Sequence, residues 1–306
     1  MTSAIQVDQV SKSFVSGKEK FTALKEITLS VGKGELFGLV GPDGAGKTTL
    51  FRILTTLMYA DSGFATVDGF DIVRDFKEIR KRVGYMPGKF SLYPDLSVAE
   101  NLAFFATLFD TSLRENYDLV KPIYQQIEPF EKRKAGALSG GMKQKLALSC
   151  ALIHRPSVLF LDEPTTGVDA VSRKEFWELL RGLQDAGISI LVSTPYMDEA
   201  SLCDRVALMQ EGRVMGINTP EGIRANFAMP LYAVRGKNMY RLMQQLLKLE
   251  AVESCHPFGQ HHHVVFRNSS MSMEEIRKMV IPLDDDMEIS RIEPTIEDSF
   301  MALMNQ

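Results

Sequence analysis

Cysteine is scarce in this chain. Its three cysteines, Cys150, Cys203 and Cys255, are scattered through 306 residues. An odd number without regular spacing excludes a disulfide framework and points to a reducing compartment. Long hydrophobic runs are also missing: no apolar stretch approaches the roughly 18 residues of a membrane span, and the first residues do not form a charged-then-apolar leader. A soluble, cytoplasmic protein is the expectation. Excess positive charge is absent too. With 35 basic against 39 acidic residues the formal net charge is -4, so the balance favours neither nucleic acid nor an anionic membrane surface. Short basic runs such as Lys132 to Lys134 read as solvated helix ends. What remains, 45% hydrophobic and 24% charged, is the composition of an ordinary globular protein with room for about two domains.

The most informative stretch runs from Glu35 to Leu50. Leu36 to Val40 is a short apolar run with the character of a buried strand, and Gly41, Gly44, Gly46, Lys47 and Thr48 fill the P-loop pattern G-x-x-x-x-G-K-S/T directly after it. Glycines let successive backbone N–H groups turn toward one anion, and the helix that follows adds the positive end of its dipole. The nucleotide-contacting set is then Gly41, Pro42, Asp43, Gly44, Ala45, Gly46, Lys47, Thr48 and Thr49. Lys47 is expected to reach the outer phosphates and the Thr48 hydroxyl to sit on magnesium, so the ligand is a nucleoside triphosphate with its Mg2+.

Before the P-loop, apolar and polar residues alternate at Ile5, Val7 and Val10 and again at Leu24, Ile27, Leu29 and Val31, with a polar turn at Ser16 to Lys20. That predicts antiparallel strands. Phe14, read as lying just after the first strand, either stacks on a nucleobase or packs. Beyond the P-loop, Gly63 to Val67 and Val83 to Met86 read as strands around a charged helical stretch, Asp75 to Lys81. From Ser97 to about Phe130 the pattern is helical, opened by the capping box Ser97-Val98-Ala99-Glu100. Leu138-Ser139-Gly140-Gly141-Met142 opens another helix and makes a second anion-binding turn. The strand Ser157 to Leu161 ends in Asp162-Glu163-Pro164. Successive residues leaving a strand point opposite ways, so Asp162 can hold magnesium while Glu163 polarises the attacking water as general base, with Lys47 as its catalytic partner at the phosphate. Asp169 follows in Thr-Thr-Gly-Val-Asp, then a helix around Phe176 and Trp177, then the strand Ile188 to Ser193. This rhythm means a parallel sheet.

The order of P-loop, helical insertion, Leu-Ser-Gly-Gly-Met, Phe-Leu-Asp-Glu-Pro and Gly-Val-Asp resembles the ATP-binding subunit of an ABC transporter over about residues 5 to 225. Tyr85 to Ser97 and Tyr-Met-Asp-Glu-Ala at Tyr196 to Ala200 look most like the drug and polymer exporter branch with separate membrane subunits. The resemblance implies an α/β fold: a P-loop NTPase core with a mainly parallel sheet flanked by helices, an antiparallel N-terminal β subdomain and a helical insertion at about residues 90–155. It also implies a head-to-tail dimer in which Ser139, Gly140 and Gly141 serve the ATP held by the partner's P-loop, and Asp169 is expected among the nucleotide-binding residues. The partners expected are integral membrane subunits and a second ABC ATPase subunit, at the inner face of the cell membrane. Two positions depart from the family pattern: Gly88 stands where glutamine is usual and Pro195 where histidine is usual. Both residues lack a side-chain donor, so the site on this chain's own P-loop is expected to be slow. Heterodimerisation with another ATPase follows. The rivals are a homodimer in which Thr194, Tyr196 or Lys89 substitutes, and an ATP-sensing adaptor; a soluble ABC protein acting on ribosomes or DNA fits the single cassette and acidic balance less well.

Residues 1–226 are expected to form this cassette and 227–306 a small α+β accessory domain with strand-helix-strand-strand-helix-strand order, a ferredoxin-like arrangement. It resembles the C-terminal extension of some exporter ATPases. His261-His262-His263 does not read as a metal site, because His262 faces away from the other two on a strand. Asp284-Asp285-Asp286 reads as a solvated turn, and Met239, Met243, Met271, Met273 and Met279 as core filler.

Overall fold

The computed structural model describes residues 3–17, 19–89, 91–284 and 286–304, in two compact units, Met1–Pro220 and Glu221–Gln306. The first unit begins with two long strands, β1 (Ser3–Ser16) and β2 (Glu19–Gly32), paired antiparallel. Phe14 lies inside β1, not after it, because the pairing with β2 carries the strand to Ser16. Next come β3 (Leu36–Val40), α1 (Lys47–Leu54), β4 (Ser62–Val67), β5 (Phe70–Asp71), α2 (Phe76–Arg82) and β6 (Val83–Met86). The helical insertion holds α3 (Val98–Leu108), α4 (Tyr117–Tyr124) and α5 (Gly140–Leu152). After it run β7 (Val158–Asp162), α6 (Ala170–Asp185), β8 (Ser189–Thr194), α7 (Met197–Ala200), β9 (Arg205–Gln210) and β10 (Arg213–Asn218), and α8 (Pro220–Ala225) starts at the last residue of this unit and otherwise belongs to the second.

Among the described residues these strands form two sheets, one in the order β2-β1-β4-β5 and one in the order β10-β9-β3-β8-β7-β6. In the larger sheet β9, β3, β8, β7 and β6 are parallel and β10 closes one edge antiparallel. Every residue of β3, β7 and β8 is buried. Strands covered on both faces need uninterrupted apolar runs, and Leu-Phe-Gly-Leu-Val and Val-Leu-Phe-Leu supply them. α1 places Leu50, Phe51, Ile53 and Leu54 in a core shared with Ile5 and Leu29 of the first sheet and Phe37 and Phe160 of the second. Phe51 meets Phe160 edge-on at 5.8 Å between ring centroids.

The capping box at the start of α3 forms: the Ser97 Oγ accepts from the Glu100 N–H, and the Glu100 Oε2 accepts from the Ser97 N–H at 2.7 Å. The helical pattern expected from Ser97 to about Phe130 is divided among separate helices. α3 stops at Leu108, Asp110 adopts a left-handed φ of 53°, and the chain turns before α4 begins at Tyr117.

In the second unit, β11 (Leu231–Arg235), α9 (Met239–Leu246), β12 (Val252–Phe258), β13 (His261–Phe266), α10 (Met273–Val280), β14 (Glu288–Ile292) and α11 (Ile296–Met304) follow in order. The sheet order is β12-β13-β11-β14 with all neighbours antiparallel, the split βαβ topology of a ferredoxin-like domain. Leu242, Leu246, Ile276 and Val280 of its helices pack on Tyr232, Val234, Val264 and Phe266, and the five methionines fill around them. The histidines diverge: His262 Nε2 meets the Met239 carbonyl oxygen at 2.7 Å, and His263 Nδ1 meets Asp298 Oδ1 at 2.7 Å. Among the described residues no group of three or more His, Cys, Asp or Glu side chains could hold a metal ion. Asp284 accepts the N–H groups of Lys237 and Asp286, a turn device; Asp285 lies outside the described residues.

The ring contact between α1 and β7 locks the P-loop helix to the sheet. Phe160→Ala is expected to destabilise the first unit by about 3–5 kcal/mol, measured by urea unfolding followed through Trp177 of α6.

Candidate functional site

The loop between β3 and α1 turns where only glycine fits. A Cβ on Gly41 would lie 2.1 Å from the Met209 carbonyl oxygen, and Gly46 has a φ of +103° with Ala23 O 2.5 Å from where its Cβ would be. The turn closes around Lys47, which is 3% exposed. Its Nζ donates to the carbonyl oxygens of Gly41 at 2.7 Å and Pro42 at 3.1 Å, and lies 3.2 Å from Glu163 Oε1. A buried ammonium needs such partners, since an uncompensated charge is heavily penalised away from water.

A cavity of about 550 Å³ opens beside this turn, within the usual range for small-molecule sites. Asp43, Gly44, Ala45, Gly46, Lys47, Thr48 and Thr49 line it on one side, Asp162 and Glu163 on another, and Phe14 at its edge. Gly41 and Pro42 bound the turn behind Lys47 through their carbonyls. Sequence reasoning missed Phe21, Arg52 and Tyr85, which also line the cavity. Phe21 pairs with Phe14 across the β1–β2 hairpin, a partnership that the turn at Ser16 to Lys20 would have disclosed had the register been counted through. Tyr85 is half-buried, and burial together with the nearby Asp162 charge pushes its hydroxyl up to about 12, against the opposing effect of Arg52. It therefore stays protonated at neutral pH.

The two acids are placed differently, as their alternation predicts. Asp162 closes β7, is 2% exposed, and accepts from Ser193 Oγ at 2.7 Å. Glu163 turns out of the strand with a left-handed φ of 50°, which swings its carboxylate toward Lys47. The Asp162 carboxylate and the Thr48 hydroxyl, both lining the cavity, are hard oxygen donors of the kind that suits Mg2+ beside phosphate. Position 88 faces the same acid: a Cβ on Gly88 would lie 3.0 Å from the Asp162 carbonyl oxygen and 3.9 Å from Oδ2.

Ser139, Gly140, Gly141 and Asp169 do not line this cavity. Ser139 caps α5, accepting from the Met142 N–H, and Asp169 caps α6, accepting from the N–H groups of Val171 and Ser172. Those backbone bonds hold the Asp169 carboxyl below the usual carboxylate range. The two helix starts are packed together, since a Cβ on Gly141 would lie 2.8 Å from Ser172 Oγ and one on Gly140 3.5 Å from Gly167 O. The Ser139–Gly141 turn thus sits apart from the P-loop cavity.

The sequence profile of the ABC transporter family matches residues 24–166. A daunorubicin resistance ATP-binding protein of Streptomyces coeruleorubidus is 38% identical over 225 residues, covering 72% of this chain and 68% of that protein. The chain belongs to the ABC transporter ATP-binding proteins. A Nod factor export ATP-binding protein I of Paraburkholderia xenovorans is 39% identical to this cassette protein and covers 73% of each chain. A probable multidrug ABC transporter ATP-binding protein of Escherichia coli is 37% identical over 286 residues, 92% of this chain, and the chain spans about half, 49%, of that relative's length. Among solved structures, a dimeric post-hydrolysis ATP-binding cassette bound to ADP and Pi superposes with a TM-score of 0.64 at 26% identity, over 70% of this chain and 98% of that one. The cbiO1 subunit of a Clostridium perfringens ABC transporter complex gives 0.64 at 25% identity, over 81% and 96%. Each of these likenesses fits a cassette with the α/β fold described above.

Two glycines of this ABC cassette separate packing from backbone freedom. Gly41→Ala forces a Cβ onto a backbone carbonyl and is expected to destabilise by about 1–3 kcal/mol. Gly182→Ala, inside α6 with nothing within 4 Å of the added atom, is expected to stabilise by up to about 1 kcal/mol. Urea midpoints of the two variants check both signs.

Proposed function

We propose that this chain is the ATP-binding, energy-coupling subunit of an exporter, working at the cytoplasmic face of the cell membrane with integral membrane subunits and a second ATPase subunit. The observation that carries the reading is the pairing of a P-loop cavity holding Lys47, Thr48, Asp162 and Glu163 with a Ser139–Gly141 turn outside it. The names of the exporter relatives support the same role.

In this reading the N–H groups of Gly44 to Thr49 orient the phosphates of ATP, and Lys47 turns from the Gly41 and Pro42 carbonyls to the outer phosphates. Glu163, released from Lys47, takes the proton of the attacking water. Thr48 and Asp162 would hold Mg2+, which would supply positive charge to offset that of the phosphates. Phe14 and Phe21 offer faces for the base. Ser139, Gly140, Gly141 and Asp169 serve the nucleotide on the partner subunit. Among the described residues no helix is long and apolar enough to cross a membrane.

Docking to them falls near Met86 to Tyr93 and the adjoining helix; Phe90 of this segment lies outside the described residues. Exposed apolar groups mark the place: Tyr93 meets Phe104 edge-on at 4.8 Å, and Leu108 stands 64% exposed one turn further along α3. Phe104→Glu is expected to abolish association of the chain with membranes from the cells that express it while nucleotide binding persists. Retained association counts against this surface.

Gly88 and Pro195 favour a slow site on this chain's own P-loop and a different ATPase subunit as partner. Losing one preorganised polar contact to the transition state costs about 3 kcal/mol, on the order of a hundredfold in rate, and Pro195 offers not even a backbone donor. Of the three residues that could substitute, Thr194 Oγ1 is turned to Glu199 and the Tyr196 ring lies under Arg173 at 4.5 Å; Lys89 lines the cavity. ATP turnover by the chain alone and mixed with a co-expressed ATPase subunit tests this. Negligible turnover alone, restored on mixing and insensitive to Glu163→Gln in this chain, is the expected result. Robust turnover alone, abolished by Glu163→Gln, would make it a self-sufficient homodimer.

A further inference from the structure

β8 ends in two hydroxyl side chains, and both are turned toward the loop that carries the acids. Ser193 is fully buried. Its Oγ–H donates to Asp162 Oδ1 at 2.7 Å, and the same oxygen accepts from the Glu163 N–H at 3.0 Å. The Ser193 carbonyl oxygen takes a second share of that N–H at 3.1 Å. One side chain therefore bridges the two acids, using a hydroxyl's capacity to donate and accept at once.

The neighbouring hydroxyl braces the loop from its far side. Thr194 Oγ1 donates to Glu199 Oε2 at 2.5 Å, and Thr165 Oγ1, two residues beyond Glu163, donates to Glu199 Oε1 at 2.7 Å. Glu199 is 1% exposed and also faces Arg173 Nε at 3.6 Å. Residues 162, 163 and 165 are thus all referred to the last two residues of one strand. Position 88 brings only backbone to Asp162, and Pro195 brings no donor. Ser193 holds both the Asp162 carboxylate and the backbone N–H of the left-handed Glu163.

Resting on the nucleotide reading above, we infer that Ser193 is a positioning residue: it aims the Asp162 carboxylate at the cation that accompanies the triphosphate and fixes the turn from which Glu163 projects. It touches neither nucleotide nor cation. Its removal leaves the P-loop, Lys47 and the aromatic edge of the cavity in place, so metal-free binding of ATP is unaffected. What is lost is the gain in affinity that the cation confers. A buried carboxylate oxygen without its donor either rotates to find another or stays unsatisfied.

The test is titration of the full chain with a fluorescent ATP analogue in EDTA and in excess Mg2+. Ser193→Ala is expected to reduce the Mg2+-to-EDTA affinity ratio by about tenfold or more, the scale of a lost hydrogen bond to a charged group, with EDTA affinity within about twofold of wild type on that same scale. Ser193→Cys keeps the size with a weak donor and should show the same loss, so a poorly folding alanine variant does not end the test. Ser193→Thr, which keeps the hydroxyl, should recover the ratio. An unchanged ratio in both Ala and Cys variants, with wild type showing a clear Mg2+ effect, overturns this inference alone. A wild-type chain that binds no ATP overturns the nucleotide reading and this inference with it.

Discussion

The site is organised around one buried ammonium group. Lys47 has almost no contact with solvent, and a charge so placed must be answered by nearby oxygens. Two of them are carbonyls of its own loop and the third is the Glu163 carboxylate from another strand. The requirement reaches far into the fold. It sets how tightly the 41–46 turn must curl, hence the glycine at 41 against the Met209 carbonyl, and it demands that the C-terminal ends of β3 and β7 lie within one side chain's reach. β8 lies between them in the sheet, so its end becomes the common floor: the Gly41 N–H donates to Thr194 O and the Glu163 N–H to Ser193 O. Carboxyl ends of parallel strands are where open α/β sheets gather their ligands.

Much of this was legible in the residues themselves. Glycine spacing marks the P-loop, a wholly apolar pentapeptide marks β3, a Ser-x-x-Glu box marks the start of α3, and alternation separates the two acids. Each of those signals is local, set by backbone geometry within a few residues. The strand and helix order of the C-terminal unit was legible for the same reason, and its methionines are core filler as their spacing suggested. What stayed hidden depends on register or distant contact. Phe21 enters the cavity through its pairing with Phe14 close to the hairpin turn, in a β1–β2 ladder whose register shifts at four places further along. Tyr85 and Arg52 come together from a strand and a helix that have two strands and a helix between them in sequence. Ser193 looks like the polar end of an apolar strand until β7 is laid beside it. The break in the helical insertion rests on a left-handed Asp110 that periodicity does not register.

The two anion-type turns explain why a chain with a complete P-loop reads as half of something. Ser139 and Asp169 cap helices whose starts pack on each other and stay clear of the cavity, so they are rigidly presented without a ligand of their own in the chain. In the proposed dimer this is the surface that a sandwiching partner would use. Gly88 and Pro195 bear on the chemistry within that sandwich and leave the phosphate cradle untouched, which is why binding and turnover separate in this account.

The claim beneath all of this is that the cavity beside Lys47 is a triphosphate site. Calorimetric titration of the purified chain with MgATP tests it most directly, with Lys47→Ala titrated in parallel. The account predicts one nucleotide bound per chain and no measurable binding heat in the variant. Equal binding by wild type and Lys47→Ala would place the nucleotide elsewhere and contradict it.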